Sequence, residues 1–320
     1  MALHRELVRQ HRESVRSATQ TQKELARQSA AAEAEEYANY VTMLSSIHTD
    51  CSEPWHWHAV TMSRPPVEPV RQNPAEVAAR AAVAAHTPNL LDKVFGGAKQ
   101  QRAQLEEAVQ RGIALDQQNY DAAMHHYATR LSHWKYQVNL APGVLSLHPE
   151  ACRSALQYVG AFEELEGFGT RVTLDAIAHD AATFSCAIED QEIVPTEEVK
   201  LGASGKLSTK EMAAGKYWAL YQDHVASCAI RIAREAYAVT PIERAIVNVR
   251  AVRLDPSTGH MIRPTILAVH FTRGTLTRLN FAAIDPSESL KNFPHRMKFK
   301  KTSGFEAVED MTSDEQWVTA

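Results

Sequence analysis

The chain has 320 residues, 44% of them hydrophobic, with a formal net charge of −4. That length allows two domains and that apolar content allows a real core, which excludes a disordered chain. The slight acidic excess argues against a surface built throughout for phosphate contacts, and four scattered cysteines with no C-x-x-C pair argue against a disulfide framework or a zinc ribbon.

The first residues, "MALHRELVRQHRESVRS", are charged from the fourth position and contain no apolar core, so they do not read as a signal peptide. No stretch approaches the roughly 18 apolar residues of a membrane span. The expectation is a cytoplasmic protein with reduced thiols and no membrane partner. Residues 1–47 form the first segment. From Leu3 to Ile47 there is no Pro or Gly, and Ala, Glu, Gln and Arg dominate, which predicts a long helix. A seven-residue frame places Val8, Val15, Gln22 and Ser29 on one position and His11, Ala18, Leu25 and Ala32 on the other, as in a loose coiled-coil arm.

Residues 48–72 hold "HTDCSEPWHWH" and the proline-rich "SRPPVEPVRQNP", a joint followed by an extended connector. In residues 73–168, "NPAE" predicts a helix start with Asn73 as N-cap and Glu76 reaching back to it. The piece "NLLDKVFGG" then leads into a second long helix over about 98–141, with the N-terminal helix as its expected partner in a hairpin or bundle. Residues 169–308 change period. "RVTLDAIAHD", "ATFSCAIED" and "EIVPTEEVKL" alternate as strands do, and Ser208 is placed to cap a helix ending near Val239. "RAIVNVRAVRL" and "TILAVHF" predict a hairpin with a long loop. The fold class is α+β: long N-terminal helices, then a mainly antiparallel sheet covered by one long helix, with an acidic tail at 309–320.

The runs "GKLSTKEM", "YQDHVASCAIRIARE", "STGH", "ILAV", "LNFAAIDPSESLKNF" and "MKFKKTSGF" resemble the C-terminal region of a family of uncharacterised bacterial proteins. In that family a helical segment precedes it, with an "H…C…EP…W" joint similar to the one here. The resemblance covers about Tyr37 to Val308 and implies an architecture and no mechanism. Where the family carries "DW", this chain has His56-Trp57.

Three sets of residues could carry chemistry. His48, Cys51, His56 and His58 offer four nitrogen and sulfur donors, the number a tetrahedral zinc needs; the competing reading is a packed joint anchored by Trp55 and Trp57. Glu198 and Lys200, at E-x-K spacing, fall on one side of a strand. With Asp180 or Asp190, and support from Tyr221 and Gln222, they could form the magnesium site of a restriction-type nuclease, perhaps in defence against foreign DNA; the competing reading is a charged strand face. Lys291, Arg296, Lys298, Lys300 and Lys301 interleave with Phe293, Phe299 and Phe305 and could track a nucleic-acid backbone, unless the rings are core and the acidic tail neutralises the patch in cis. No G-x-x-x-x-G-K, H-E-x-x-H or G-x-S-x-G occurs. The expected function is a non-enzymatic interaction or scaffold component of a bacterial complex, binding a protein partner or itself through the N-terminal helices. No cofactor is expected, magnesium only under the nuclease alternative, and nucleic acid is a less favoured partner.

Overall fold

The computed structural model describes residues 2–87, 97–189, 193–255, 257–313 and 315. The chain is α+β, with long N-terminal helices followed by a mainly antiparallel sheet and one long helix. It divides into two units, Met1–Trp55 with Gly143–Ala320, and His56–Pro142.

The inserted unit His56–Pro142 is helical. It comprises α2 (Trp57–Thr61), α3 (Pro74–Ala85) and most of α4 (Gly97–Leu145). Pro74 opens α3 as expected, but Asn73 makes no side-chain cap bond. The cap comes from α4: Asp116, only 2% exposed, accepts from the Ala75 and Glu76 amides at 3.1 and 2.8 Å. A carboxylate there answers both the orphan N–H groups and the positive end of the helix. One turn earlier Gly112 lets the backbones touch, since a Cβ would stand 2.8 Å from the Ala75 carbonyl oxygen. The connector is tied down by Trp134, whose indole donates to Ser63 Oγ at 2.9 Å. The piece "NLLDKVFGG" falls mostly outside the described residues.

The other unit starts with α1 (Ala2–Ser46) and a single 3-10 turn, Ile47–Thr49. After the insertion come α5 (Pro149–Val159) and α6 (Glu163–Glu166), then β1 (Thr170–Ala178) and β2 (Ala181–Ile188). The third predicted strand leaves the sheet: β3 (Glu197–Leu201) pairs only with β4 (Leu207–Glu211) in a separate ribbon. Ser208 therefore lies in a strand, and the long helix α7 begins six residues later, spanning Ala214–Val239. The hairpin strands are β5 (Arg244–Ala251) and β8 (Thr265–Thr272), whose loop forms a small ribbon of β6 (Arg253–Leu254) and β7 (Met261–Ile262). Two short helices, α8 (Arg273–Leu276) and α9 (Pro286–Ser289), precede β9 (His295–Lys300) and β10 (Gly304–Glu306).

The sheet order is β1-β2-β5-β8-β9-β10, with β2 and β5 parallel and the other pairs antiparallel. Side chains alternate along each strand. Phe184, Cys186, Val247, Val249, Leu267, Val269 and Phe271 are all buried on the α7 side. The opposite face mixes small, apolar and polar side chains, among them Ala181, Ile246, Asn248, Arg250, Ala268 and Arg296. Among the described residues no helix is long and apolar enough to cross a membrane.

Candidate functional site: the polar seam of the long helix

From His224 to Val239 nearly every residue of α7 is buried, polar ones included. A helix buried all round needs partners for those polar groups. His224, Ser227, Arg231, Arg234, Glu235 and Ala238 recur at threes and fours, so they share one face, distinct from the apolar stripe on the sheet. That face receives residues 44–55. His224 Nδ1 lies 3.3 Å from the Leu44 carbonyl oxygen, and the His48 amide donates to Ser227 Oγ at 2.9 Å. Arg231 donates to the Ile47 carbonyl at 3.2 Å. One nitrogen of Arg234 gathers the carbonyls of His48, Thr49 and Asp50. Glu235 accepts from the Ser52 amide at 3.0 Å, and the Trp55 amide donates to the Ala238 carbonyl at 2.8 Å. The 3-10 turn ends α1 in carbonyls that helix geometry leaves unpaired. The arginines supply their donors.

The seam carries its own ion pairs. Arg231 bonds the fully buried Glu235 at 2.7 Å and the exposed Glu164 at 2.8 Å. Next to it, a cavity of about 400 Å³ is lined by Cys51, Glu53, Arg234, Tyr237, Arg273 and Phe281, among others. Arg234 stacks over the Phe281 ring at 3.9 Å and Arg273 over Tyr237 at 4.7 Å. Arg273 also donates to the carbonyls of Tyr237, Thr240 and Ile242, closing the end of α7.

The four proposed zinc donors divide between the units, His48 and Cys51 in one and His56 and His58 in the other. His48 is buried with Nδ1 2.9 Å from Ser227 Oγ, and burial holds its pKa below the usual histidine value. Burial, then the neighbouring Glu235 carboxylate, pushes the Cys51 thiol up to about 11. A thiol so raised stays protonated at neutral pH and is a poor nucleophile or ligand. His56 precedes α2 and makes no side-chain cap bond; His58 lies in its last turn. Among the described residues no three His, Cys, Asp or Glu are grouped to hold a metal ion. Trp55 meets Tyr158 edge-on at 6.1 Å, and Trp57 is 3% exposed.

Glu198 and Lys200 do share one side of β3, at 2.8 Å, but Lys216 of α7 takes the other carboxylate oxygen at 3.1 Å. The two ammonium groups hold Glu198 below the ordinary carboxylate range, Lys200 contributing most. Asp190 lies outside the described residues. Asp180, in the β1–β2 turn, is bound by Arg244 at 2.5 Å, and its pKa is lowered by that guanidinium. Tyr221 is buried, and burial holds its hydroxyl pKa well above the ordinary tyrosine value, while Gln222 donates to Met297 Sδ at 3.7 Å. The ribbon carrying Glu198 stands apart from the sheet whose strands would have to supply its partners.

Of the basic set, Lys291 pairs with Glu288, Lys300 with Glu306 at 2.5 Å and Arg296 with Glu315 at 2.7 Å, while Lys298 faces Glu306 across β9 and β10. Lys301 follows β9 in an exposed turn. Phe293 and Phe305 are buried; Phe299 is half-buried and packs on Phe305 at 5.1 Å. The rings are packing residues. Comparison of the chain with protein-family models, curated proteins and solved structures finds no match.

The sequence expectation of one long helix covering the sheet does not include the seam. The signal was present in "HVASCAIRIARE": polar residues at helical spacing inside an otherwise apolar helix. What the arrangement does chemically is grip a backbone. Ser227, whose hydroxyl is paired with His48, is fully buried and already engaged.

Proposed function

We propose that the protein is a non-enzymatic interaction component of a cytoplasmic bacterial complex, and that α1 is its rigid binding arm. The observation that carries this is the contrast along α1. Its C-terminal end is fixed by the α7 seam, whereas every residue from Val15 to Ser29 is exposed. At about 1.5 Å per residue this exposed stretch alone extends roughly 20 Å. Val15 and Leu25, 50% and 61% exposed, are the large apolar residues on it. A helix held firmly at one end and apolar at intervals on the other suits pairing with a second helix.

Sedimentation of the full chain over a concentration series tests the reading, with a second copy as the first partner tried. Self-association reversed by Val15→Asp with Leu25→Asp, at unchanged thermal stability, supports it; a strict monomer at all concentrations removes the self-pairing. The alternative, a magnesium-dependent nuclease using Glu198 and Lys200, is favoured by their adjacency alone. It predicts plasmid nicking by the same preparation, abolished in Lys200→Ala.

A further inference from the structure

The face of the sheet away from α7 is crossed by the chain's own acidic segment. Asn248 sits in the centre of β5, 2% exposed, inside the otherwise apolar run "AIVNV". A buried amide in a central strand is costly unless both its ends are bonded. Here both ends read the backbone of one residue of the segment: Asn248 Nδ2 donates to the Met311 carbonyl at 3.0 Å, and Oδ1 accepts from the Met311 amide at 2.9 Å. The Met311 side chain is fully buried with Ala181, Ile246 and Ala268, whose small or slender side chains form a socket. Two arginines flank it. Arg250 bonds Asp310 at 2.7 Å, while Arg296 bonds Glu315 at 2.7 Å and the Asp310 carbonyl at 2.5 Å.

We propose that this face is a recognition site for an acidic peptide with a buried aliphatic anchor, and that residues 307–313, "AVEDMTS", together with Glu315, are its occupant in cis. A backbone clamp, an apolar socket and flanking guanidiniums are the three elements by which extended acidic segments are read. Thr265 Oγ1 also donates to the Asp310 carboxylate. Among the described residues the occupant's backbone makes one backbone–backbone bond to a strand, Val308 N–H to the Thr265 carbonyl at 2.8 Å, and its charge pairs are about one-third exposed on each side. Such pairs are weak and salt-screened. A partner's acidic segment with the same spacing can therefore exchange with it. The residues named in this site include none from α1, so this inference does not rest on the arm reading.

Two measurements on the full chain test it. Amide exchange of the unaltered protein is expected to be about a hundredfold faster at Val308 and Met311 than at Val247 and Val249 in the centre of β5. Exchange in step with β5 would make the segment part of the core and overturn the proposal. In the second, a fluorescent peptide of sequence AVEDMTSDE is titrated against wild type and against Asp310→Asn with Met311→Ser and Glu315→Gln. The weakened variant is expected to bind it at least about tenfold tighter, and Arg250→Ala with Arg296→Ala added to that variant to abolish binding. Equal binding to both, arginine-independent binding, loss of the folded state in the weakened variant, or capture of a single-stranded oligonucleotide in place of the peptide would each overturn it.

Discussion

Glu235→Ala should be the most damaging single truncation in the α7 seam. The Glu235 side chain is fully buried and that of Arg231 is 8% exposed, so removing the carboxylate strands a guanidinium where water hardly reaches. Breaking a buried pair in this way costs about 3–5 kcal/mol. Two structural details place the cost near the lower bound. Arg231 keeps Glu164, an exposed partner, and one oxygen of Glu235 has no hydrogen-bond partner to lose. The Ser52 amide also loses its acceptor. At about 2–4 °C per kcal/mol for a unit of this size, a loss of about 3 kcal/mol lowers Tm by roughly 6–12 °C in a thermal melt. The paired replacement Arg231→Met with Glu235→Leu should cost less than Glu235→Ala alone, since no charge is left buried. A Tm change under about 2 °C for Glu235→Ala, or a double variant worse than the single, would refute the argument that a buried ion pair holds the root of the arm.

Two further outcomes are expected. His224 is fully buried, and burial lowers its pKa from 6.5 to about 4, so the unfolded chain binds the extra proton between those values. Stability should fall as pH drops from about 6.5 to 4, by up to about 3 kcal/mol from this group, and a smaller fall in His224→Gln by urea unfolding would check it. Asp116→Ala should cost about 1–2 kcal/mol and raise amide exchange at Ala75 and Glu76, because the first turn of α3 loses its carboxylate cap.

Much of the fold was legible because it follows from period. The long helices, the β5–β8 hairpin and the Pro74 helix start are all written in local pattern, and the structure has them. The errors arise where a partner distant in sequence decides. Asn73 looks like a cap, yet Asp116, 40 residues beyond Glu76, supplies the cap. "KLSTKE" looks like the lead into a helix, yet pairing with Glu197–Leu201 makes it a strand. β9 was hidden because "HRMKFK" reads as a basic patch; its alternation, with Arg296, Lys298 and Lys300 on one face and Met297 and Phe299 on the other, was the overlooked sign. "HTDCSEPW" reads as a joint or a metal site, and its counterpart on α7 could not be found from composition. A stripe that bonds carbonyls has no motif; it shows only as Arg and Glu where a buried helix should have none.

The seam also sets an order in time. Its bonds join residues about 180 positions apart, such as the His48 amide and Ser227, with the whole inserted unit between them. During synthesis the N-terminal helix emerges long before the helix that will hold it, and His56–Pro142 follows with its own local contacts already complete. Closing so long a loop adds little to the free-energy cost but slows the search. Until α7 arrives, Leu44 and Ile47, both buried in the finished fold, have nothing to cover them. The nascent chain is thus exposed to misassociation at the same segment that later gives the arm its fixed direction.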